Sequence, residues 1–209
     1  MYTKMLREYI IKNKGELFDS SYEHKKLFQL IPYKTYLKII QRFVNENQMI
    51  RISKGIYAIP DEKGEYKSVK TYYTQYFSGM VVGEEMYFKS NLTPFESSEI
   101  LIYTNLLSVN TRNINEYKLK YIDLTFFKER VNIITALEII ENQYKIRDIN
   151  IKMYAMLIEL AVYSYSDKDF EQIIKKIDYQ YSTIEKFEEY LKVKGKYGNP
   201  LDIFKKLEK

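Results

Sequence analysis

The sequence predicts an α+β fold, because helical and β-strand patterns follow one another along its 209 residues. The first 60 residues combine short amphipathic helices with a hairpin signal, residues 98–126 contain β-rich runs, and the last third has helical spacing throughout. Hydrophobic residues make up 45% of the chain and charged residues 29%, which is typical of a globular protein with a packed core.

The most specific pattern lies between Pro32 and Pro60. Residues 33–44 repeat with helical spacing, so that apolar side chains fall on one face and polar side chains on the other. The apolar face consists of Tyr36, Leu37, Ile40, Phe43 and Val44, and the polar face of Lys34, Lys38, Gln41 and Arg42. Pro32 suits the first turn, where its missing N–H group costs no hydrogen bond. We therefore predict a helix with a basic outward face.

A hairpin signal follows this basic helix directly. Residues 49–52 and 56–59 are two short strand candidates, and residues 53–55 join them. Gly55 can take the positive φ angle that a tight connection needs, which leaves Lys54 at the tip. A basic helix followed by a hairpin with a basic tip is typical of a winged helix-turn-helix. In that fold the helix enters the DNA major groove and the wing lies along the backbone.

The segments before the basic helix support the same interpretation. Residues 2–11 have the spacing of an amphipathic helix, and residues 20–28 predict a second, shorter helix. Ser20 and Glu23 have the spacing of a capping box, which predicts Ser20 as the N-terminal cap of that helix. Three helices followed by a hairpin match a winged helix-turn-helix domain, which we place at residues 1–62.

The remaining chain predicts a second, mixed domain at residues 69–209, after a polar linker at 61–68. Residues 69–80 and 81–92 have helical spacing, whereas residues 98–107 and 117–126 are β-rich and predict a small antiparallel sheet of two or three strands. A C-terminal helical bundle follows. Within it, residues 149–163 are apolar on most sides, which predicts a buried helix.

Charge is distributed unevenly between the two predicted domains. Residues 1–70 contain 14 Lys and Arg against 8 Asp and Glu, whereas the remaining 139 residues contain 19 against 20. The net charge of +5 therefore comes from the N-terminal third, which favours a polyanionic partner such as double-stranded DNA. The alternative interpretation is a solvated surface with a chance excess of lysine.

Candidate DNA contacts follow from the geometry of a helix in a groove. The first turn of the basic helix points deepest into the groove, so Lys34 can donate to guanine and Thr35 to a base edge or a phosphate. Side chains further along the helix, and those on the wing, are better placed for the DNA backbone. The predicted contact residues are Tyr33, Lys34, Thr35, Lys38, Arg42, Arg51 and Lys54.

Residues that support catalysis or bind a cofactor are scarce in this sequence. The chain has no cysteine and one histidine, His24, which lies among apolar neighbours in a predicted helix. Disulfides and thiolate metal sites are therefore excluded, and we find no phosphate-loop, dinucleotide-binding or hydrolase motif. We predict a protein that is not an enzyme, with no catalytic residues, metal or cofactor. The lack of a signal-peptide pattern or a bilayer-spanning apolar run predicts a cytoplasmic location without membrane contact.

The predicted wing also resembles a known family. Residues 47–60 are similar to the wing of the AbiEi family, the antitoxin half of abortive-infection type IV toxin–antitoxin systems. In the motif of that family, an arginine is followed at fixed spacing by a basic residue, a glycine, a tyrosine and a proline. These places are occupied here by Arg51, Lys54, Gly55, Tyr57 and Pro60. A looser similarity in the order of elements extends through residues 83–93 and 100–126.

The resemblance implies a transcriptional autorepressor whose N-terminal domain binds inverted repeats in the operator of its own operon. It also implies that the second domain neutralises a cognate nucleotidyltransferase toxin without forming a stable complex with it. We expect a monomer, or a weak dimer that pairs on DNA. Two alternatives stay open: a winged protein-interaction module without sequence-specific DNA binding, and an enzyme that acts on nucleic acid.

Overall fold

The computed structural model describes residues 1–207 and has the predicted α+β class. Helices and a small three-stranded antiparallel sheet come first, a four-stranded mixed sheet follows, and a cluster of helices ends the chain. Residues 208–209, the last two of the predicted second domain, lie outside the described residues.

The N-terminal unit, residues 2–58, contains three helices and three strands. In chain order these are α1 (Tyr2–Lys12), β1 (Leu17–Asp19), α2 (Ser20–Lys26), α3 (Tyr33–Asn45), β2 (Ile50–Ser53) and β3 (Ile56–Ala58). The strands pair antiparallel in the order β1-β3-β2, so the first strand lies against the third. The sequence pattern does not predict β1, because its three residues are all buried and show no alternation.

Helix α3 is amphipathic as predicted, with one difference on its apolar face. Tyr36, Ile40 and Phe43 are fully buried in the core of the N-terminal unit. Ile39 is buried with them, whereas Leu37, which the sequence predicts to face inward, is exposed. The buried positions are spaced three, four and seven residues from Tyr36, which is the inward set of a straight α-helix, and position 37 falls outside it.

The N-terminal cap of α2 is Asp19, so the prediction of Ser20 as the cap is wrong. Asp19 Oδ1 accepts hydrogen bonds from the backbone N–H groups of Ser21 at 3.0 Å and Tyr22 at 3.2 Å. Strand β1 ends at Asp19 and the helix begins at the next residue, which moves the cap one position earlier than the capping-box pattern indicates. The Ser20 hydroxyl instead donates to the Gly55 carbonyl oxygen at 2.9 Å.

A four-stranded mixed sheet forms the middle of the chain. Its elements are α4 (Val69–Thr74), a 3-10 turn (Gln75–Phe77), β4 (Gly79–Val82), α5 (Glu84–Lys89), β5 (Ile100–Thr104), β6 (Thr111–Ile114) and β7 (Tyr117–Tyr121). The strand order is β4-β5-β7-β6, and β5 runs parallel to β7. The prediction of a purely antiparallel sheet is therefore wrong.

Strand β4 lies where the sequence pattern predicts the junction of two helices. A side chain at Gly79 would collide with the carbonyl oxygens of Tyr73 and Tyr103, so glycine is required for the close approach of β4 to β5 and α4. The strand has only four residues and is largely buried on both faces, which removes the alternation that identifies a strand.

The C-terminal helices pack around one central member. They are α6 (Lys128–Asn142), α7 (Ile151–Ser164), α8 (Asp167–Ile174), α9 (Tyr181–Val193) and α10 (Pro200–Leu207). Helix α6 buries six apolar side chains, namely Ile133, Ile134, Ala136, Leu137, Ile139 and Ile140. Within residues 1–207, every helix is too short or too polar to span a membrane.

Helix α7 is more exposed than its apolar sequence predicts. Ile158, Ala161 and Val162 are buried, but Ile151 is 73% exposed and Tyr163 is 72% exposed. The prediction of a buried helix at residues 149–163 is therefore wrong. Helix α6 takes the central place instead, and hydrophobicity alone does not identify which helix of a cluster is enclosed by the others.

The two sheets share a hydrophobic cluster. Leu17, Ile56 and Ala58 of the first sheet pack with Tyr73 of α4 and Ile102 of the second sheet. This cluster crosses the boundary predicted between residues 62 and 69, and the two-domain division stays a prediction.

A buried ion pair lies beside this shared cluster. The Asp19 side chain is fully buried, and its Oδ2 accepts hydrogen bonds from the Arg112 guanidinium of β6 and from the Tyr73 hydroxyl, the latter at 3.2 Å. Because a buried charge is stable only when it is paired and hydrogen-bonded, Asp19 fixes the position of β6 relative to α2.

Replacing Asp19 by alanine is expected to lower the free energy of unfolding by about 3–5 kcal/mol. The change leaves the largely buried Arg112 guanidinium without its partner and removes the cap of α2. Urea denaturation measures the change. The matched control is Asp123→Ala, which breaks the exposed ion pair with Lys176 and should have a much smaller effect because solvent screens that pair. Equal effects of the two variants would contradict the role assigned to Asp19.

Candidate nucleic-acid interface

The outward face of α3 carries a row of cations. Lys34, Lys38 and Arg42 are each exposed and follow one another at intervals of four residues, with Thr35 exposed beside the first of them. At 1.5 Å per residue, this row extends over about 12 Å of the helix. The opposite face is buried, so α3 cannot turn these side chains inward without exposing its core residues.

These cations have no acidic partner in the described chain. Within residues 1–207, Lys34, Lys38 and Arg42 form no ion pair, and neither do Arg51 and Lys54 on the hairpin. Other lysines near the N-terminal unit do: Lys14 pairs with Glu62 and Lys67 with Glu16. An anion would therefore meet the cations of α3 and the hairpin without displacing a carboxylate.

The N-terminus of α3 adds to this positive potential. Pro32 precedes the helix, no side chain caps its first N–H groups, and no acidic residue lies in the first turn. A cation at this end opposes the helix dipole, so Lys34 weakens the isolated helix rather than stabilising it. A phosphate bound here would satisfy both the free N–H groups and the lysine charge.

His24 holds the turn that orients α3. Its Nε2–H donates to the Ile31 carbonyl oxygen at 2.8 Å, and its ring lies 5.0 Å from the ring of Tyr33 and 4.8 Å from that of Tyr36. The carbonyl oxygen can only accept, so Nε2 carries the proton of this hydrogen bond. These contacts fix the entry of the chain into α3, and therefore the direction of its basic row.

The hairpin β2–β3 carries the other two predicted contact cations. Arg51 and the tip residue Lys54 are exposed, and Gly55 takes the predicted positive φ angle of +81°. The Gly55 carbonyl oxygen accepts hydrogen bonds from both the backbone N–H and the hydroxyl of Ser20, each at 2.9 Å. The tip is thus attached to the first residue of α2. Sequence reasoning missed this role of Ser20, because the contact spans 35 positions of the chain.

Apolar side chains border the basic row. Leu30, in the turn before α3, is 84% exposed, and Tyr33 and Leu37 on α3 are partly exposed beside the lysines. All seven predicted contact residues therefore lie on the surface of the N-terminal unit, in a surrounding that is cationic and partly apolar. Their role in binding DNA stays a prediction.

A buried carboxyl lies in the core beneath this surface. Glu23 of α2 is buried near the hydroxyls of Tyr9 on α1 and Tyr72 on α4. Burial raises the pKa of Glu23, and it outweighs the opposing effects of the tyrosine hydrogen bonds and of Lys26. Because the charged form is disfavoured in the folded state, Glu23 makes the stability of the N-terminal unit depend on pH.

No protein-family model and no curated protein matches this chain. The similarity of residues 47–60 to the AbiEi wing therefore stays a prediction. Within residues 1–207, no group of three or more His, Asp or Glu residues is arranged to hold a metal ion.

Replacing Glu23 by glutamine is expected to stabilise the protein more at pH 8 than at pH 4. The raised pKa means that the wild type loses stability as pH rises from the unfolded value of about 4.3 through the folded value, and glutamine removes this loss. Urea denaturation across this pH range measures the difference. The control is Glu8→Gln, which removes an exposed carboxyl from α1. A pH-independent difference between Glu23→Gln and the wild type would refute the expectation.

Proposed function

We propose that this chain is a DNA-binding transcriptional autorepressor that acts as the antitoxin of a type IV toxin–antitoxin system and neutralises a nucleotidyltransferase toxin. The observation that carries the DNA-binding half is the exposed, unpaired row Lys34, Lys38 and Arg42 on α3, next to a hairpin with Lys54 at its tip. Such a row costs stability through self-repulsion, and a phosphate backbone would offset that cost.

The order of elements in the N-terminal unit supports a winged helix-turn-helix. Helix, strand, helix, helix and hairpin follow one another, and the sheet order is β1-β3-β2. In this interpretation α3 is the recognition helix, the hairpin is the wing, and α2 with the turn at His24 is the first part of the helix-turn-helix. Lys34 and Thr35 would read base edges, Tyr33 would contact a phosphate or a thymine methyl group, and Lys38, Arg42, Arg51 and Lys54 would bind phosphates.

The remaining chain is proposed to act on the toxin. Its net charge is close to zero, in contrast to the positive net charge of the N-terminal third. The AbiEi resemblance supplies the antitoxin role, and no residue of the second sheet or the helical cluster is assigned to it. We propose that the protein acts in the cytoplasm, as a monomer or as a weak dimer that pairs on the inverted repeats of its operator.

The triple variant K34A/K38A/R42A is expected to lose at least about 100-fold in affinity for a duplex from the promoter upstream of its own reading frame, because three phosphate or base contacts are removed. Gel-shift titration at several salt concentrations measures the affinity. The slope of log K against log salt should fall by about 2–3 units, since each phosphate contact contributes about 0.9. The helical circular dichroism spectrum should not change.

The matched control for this variant is K128A/K152A/K168A. It removes an equal number of positive charges, from exposed positions on α6, α7 and α8, and should bind the duplex nearly as the wild type does. Equal loss in both triple variants would mean that net charge alone drives binding, and unchanged affinity of K34A/K38A/R42A would reject the assignment of α3.

The same variant also tests the antitoxin role. Because neutralisation is assigned to the second domain, K34A/K38A/R42A should still rescue growth when co-expressed with a nucleotidyltransferase encoded beside it. It should nevertheless lose repression of its own promoter. Failure of both the wild type and the variant to rescue growth would reject the antitoxin role and leave the DNA-binding half standing.

A second candidate function is a winged module that docks another protein. The exposed apolar side chains of Leu30, Tyr33 and Leu37 beside the basic row favour it, because apolar residues gain more from a protein surface than from a phosphate backbone. Salt titration separates the two functions. DNA binding weakens steeply as salt rises through counterion release, whereas docking through an apolar face depends weakly on salt.

The single variant Lys54→Ala is expected to weaken binding to specific and non-specific duplexes by the same factor, because a wing-tip lysine that meets only phosphate carries no sequence information. The salt slope should fall by about one unit. Fluorescence anisotropy with the promoter duplex and a scrambled duplex measures both. A selective loss on the promoter duplex would instead place Lys54 at a base edge.

A further inference from the structure

A cavity of about 240 Å³ lies among residues 83–147, which follow the N-terminal unit, and none of the predicted DNA contacts belongs to this stretch. It opens between α5 with its following loop, the start of β5, and the C-terminal end of α6 with its following loop. None of the residues assigned to DNA contact lines it, and no element of the proposed function uses it. Its size suits a small organic molecule rather than a macromolecular segment.

A buried carboxyl forms the polar part of the cavity lining. Glu138 of α6 is 7% exposed and lines the cavity. Its Oε1 accepts hydrogen bonds from the hydroxyls of Tyr103 and Tyr179, each at 3.1 Å. Its Oε2 accepts no hydrogen bond from the residues the structure describes. Burial raises the pKa of Glu138 and outweighs the effects of the two tyrosines and of Lys120, so the charged form is disfavoured while no further cation lies beside it.

The other hydrogen-bond donors near Glu138 bind backbone carbonyl oxygens and not its Oε2 atom. The Tyr87 hydroxyl and Asn142 Nδ2 both donate to the backbone carbonyl oxygen of Glu138, at 3.2 and 3.0 Å. The Thr93 hydroxyl donates to the carbonyl oxygen of Arg147 at 2.7 Å. What the cavity still offers at this end is an acceptor, Oε2. A molecule that enters must therefore bring a hydrogen-bond donor.

The rest of the lining sets the charge and shape of that molecule. Glu84 and Glu96 line the cavity with Glu138, so acidic side chains outnumber the two basic ones, Lys145 and Arg147. The Arg147 guanidinium already lies over the Phe95 ring, 4.3 Å from its centroid, where the π face attracts it. Leu101 and Ile146 supply apolar walls.

We infer that this cavity binds a small organic cation, whose ammonium or amidinium head donates to Glu138 Oε2 and whose apolar body lies against Leu101, Ile146 and Phe95. A cation at Oε2 favours the charged form that burial disfavours. Because the two tyrosines already hold the carboxyl group, the ligand does not have to order the side chain that binds it. This is a function of the chain beyond the N-terminal unit, and it is independent of DNA binding.

Benzamidine is the probe, because it joins a planar amidinium to an apolar ring. Titrated into the ¹⁵N-labelled full chain, it should give saturable shifts of the backbone amides of Thr93, Glu138 and Asn142. Benzamide has the same shape without the charge and should bind at least about tenfold more weakly, as expected for the loss of a hydrogen bond between charged groups. This comparison needs no protein variant and tests whether binding requires the positive charge of the ligand.

Two variants test the carboxyl directly. Glu138→Gln keeps an oxygen acceptor for Tyr103 and Tyr179 but places an amide NH₂ where Oε2 was, so benzamidine affinity should fall at least about tenfold while the fold persists. Glu129→Gln removes an exposed carboxylate from the first turn of the same helix and should bind like the wild type. The same titrations with guanosine monophosphate test whether the cavity binds an anion instead of a cation.

Three results would overturn the inference. The first is the absence of saturable shifts at the cavity amides with benzamidine. The second is equal affinity of benzamidine and benzamide for the wild type. The third is saturable binding of guanosine monophosphate at the cavity that Glu138→Gln leaves unchanged, which would assign the site to Lys145 and Arg147 and to an anion.

Discussion

The buried carboxylate of Asp19 is the constraint on which the arrangement of this protein depends. A charge without solvent must be matched by donors on every side, and Asp19 receives them from α2, from Tyr73 of α4 and from Arg112 of β6. Helix α2 is thereby fixed to the second sheet. His24 of α2 in turn holds the turn into α3. The direction of the basic row therefore depends on Arg112, which lies in the second sheet and holds Asp19.

Amphipathic segments were predictable from the sequence, and short buried ones were not. Helix α3 has one exposed and one buried face, so its period of 3.6 appears in the residue pattern, and Gly55 marks the turn of the hairpin. Strands β1 and β4 are three and four residues long and largely buried, and leave no period to read. The pairing of Asp19 with Arg112 spans 93 positions, a distance over which one sequence carries no signal.

The two candidate sites also differ in how far the sequence predicts them. The basic row and the hairpin come from one continuous stretch, so residue types and spacing were enough to nominate Lys34, Lys38 and Lys54. The cavity gathers Tyr87 from α5, Glu138 from α6 and a loop residue, Thr93, between them in sequence. Glu138 lies within an apolar run of α6, where only the packing of its two tyrosine partners distinguishes it from an ordinary surface glutamate.

The attachment of Gly55 to Ser20 has a thermodynamic consequence for the hairpin. A loop tip that is free in solution must be immobilised when it meets a partner, and each ordered residue then subtracts about 1–2 kcal/mol from the affinity as lost conformational entropy. Here two hydrogen bonds to a single carbonyl oxygen already immobilise the tip in the isolated chain. Most of that entropy is lost during folding, so the hairpin meets its partner as a rigid, pre-organised projection.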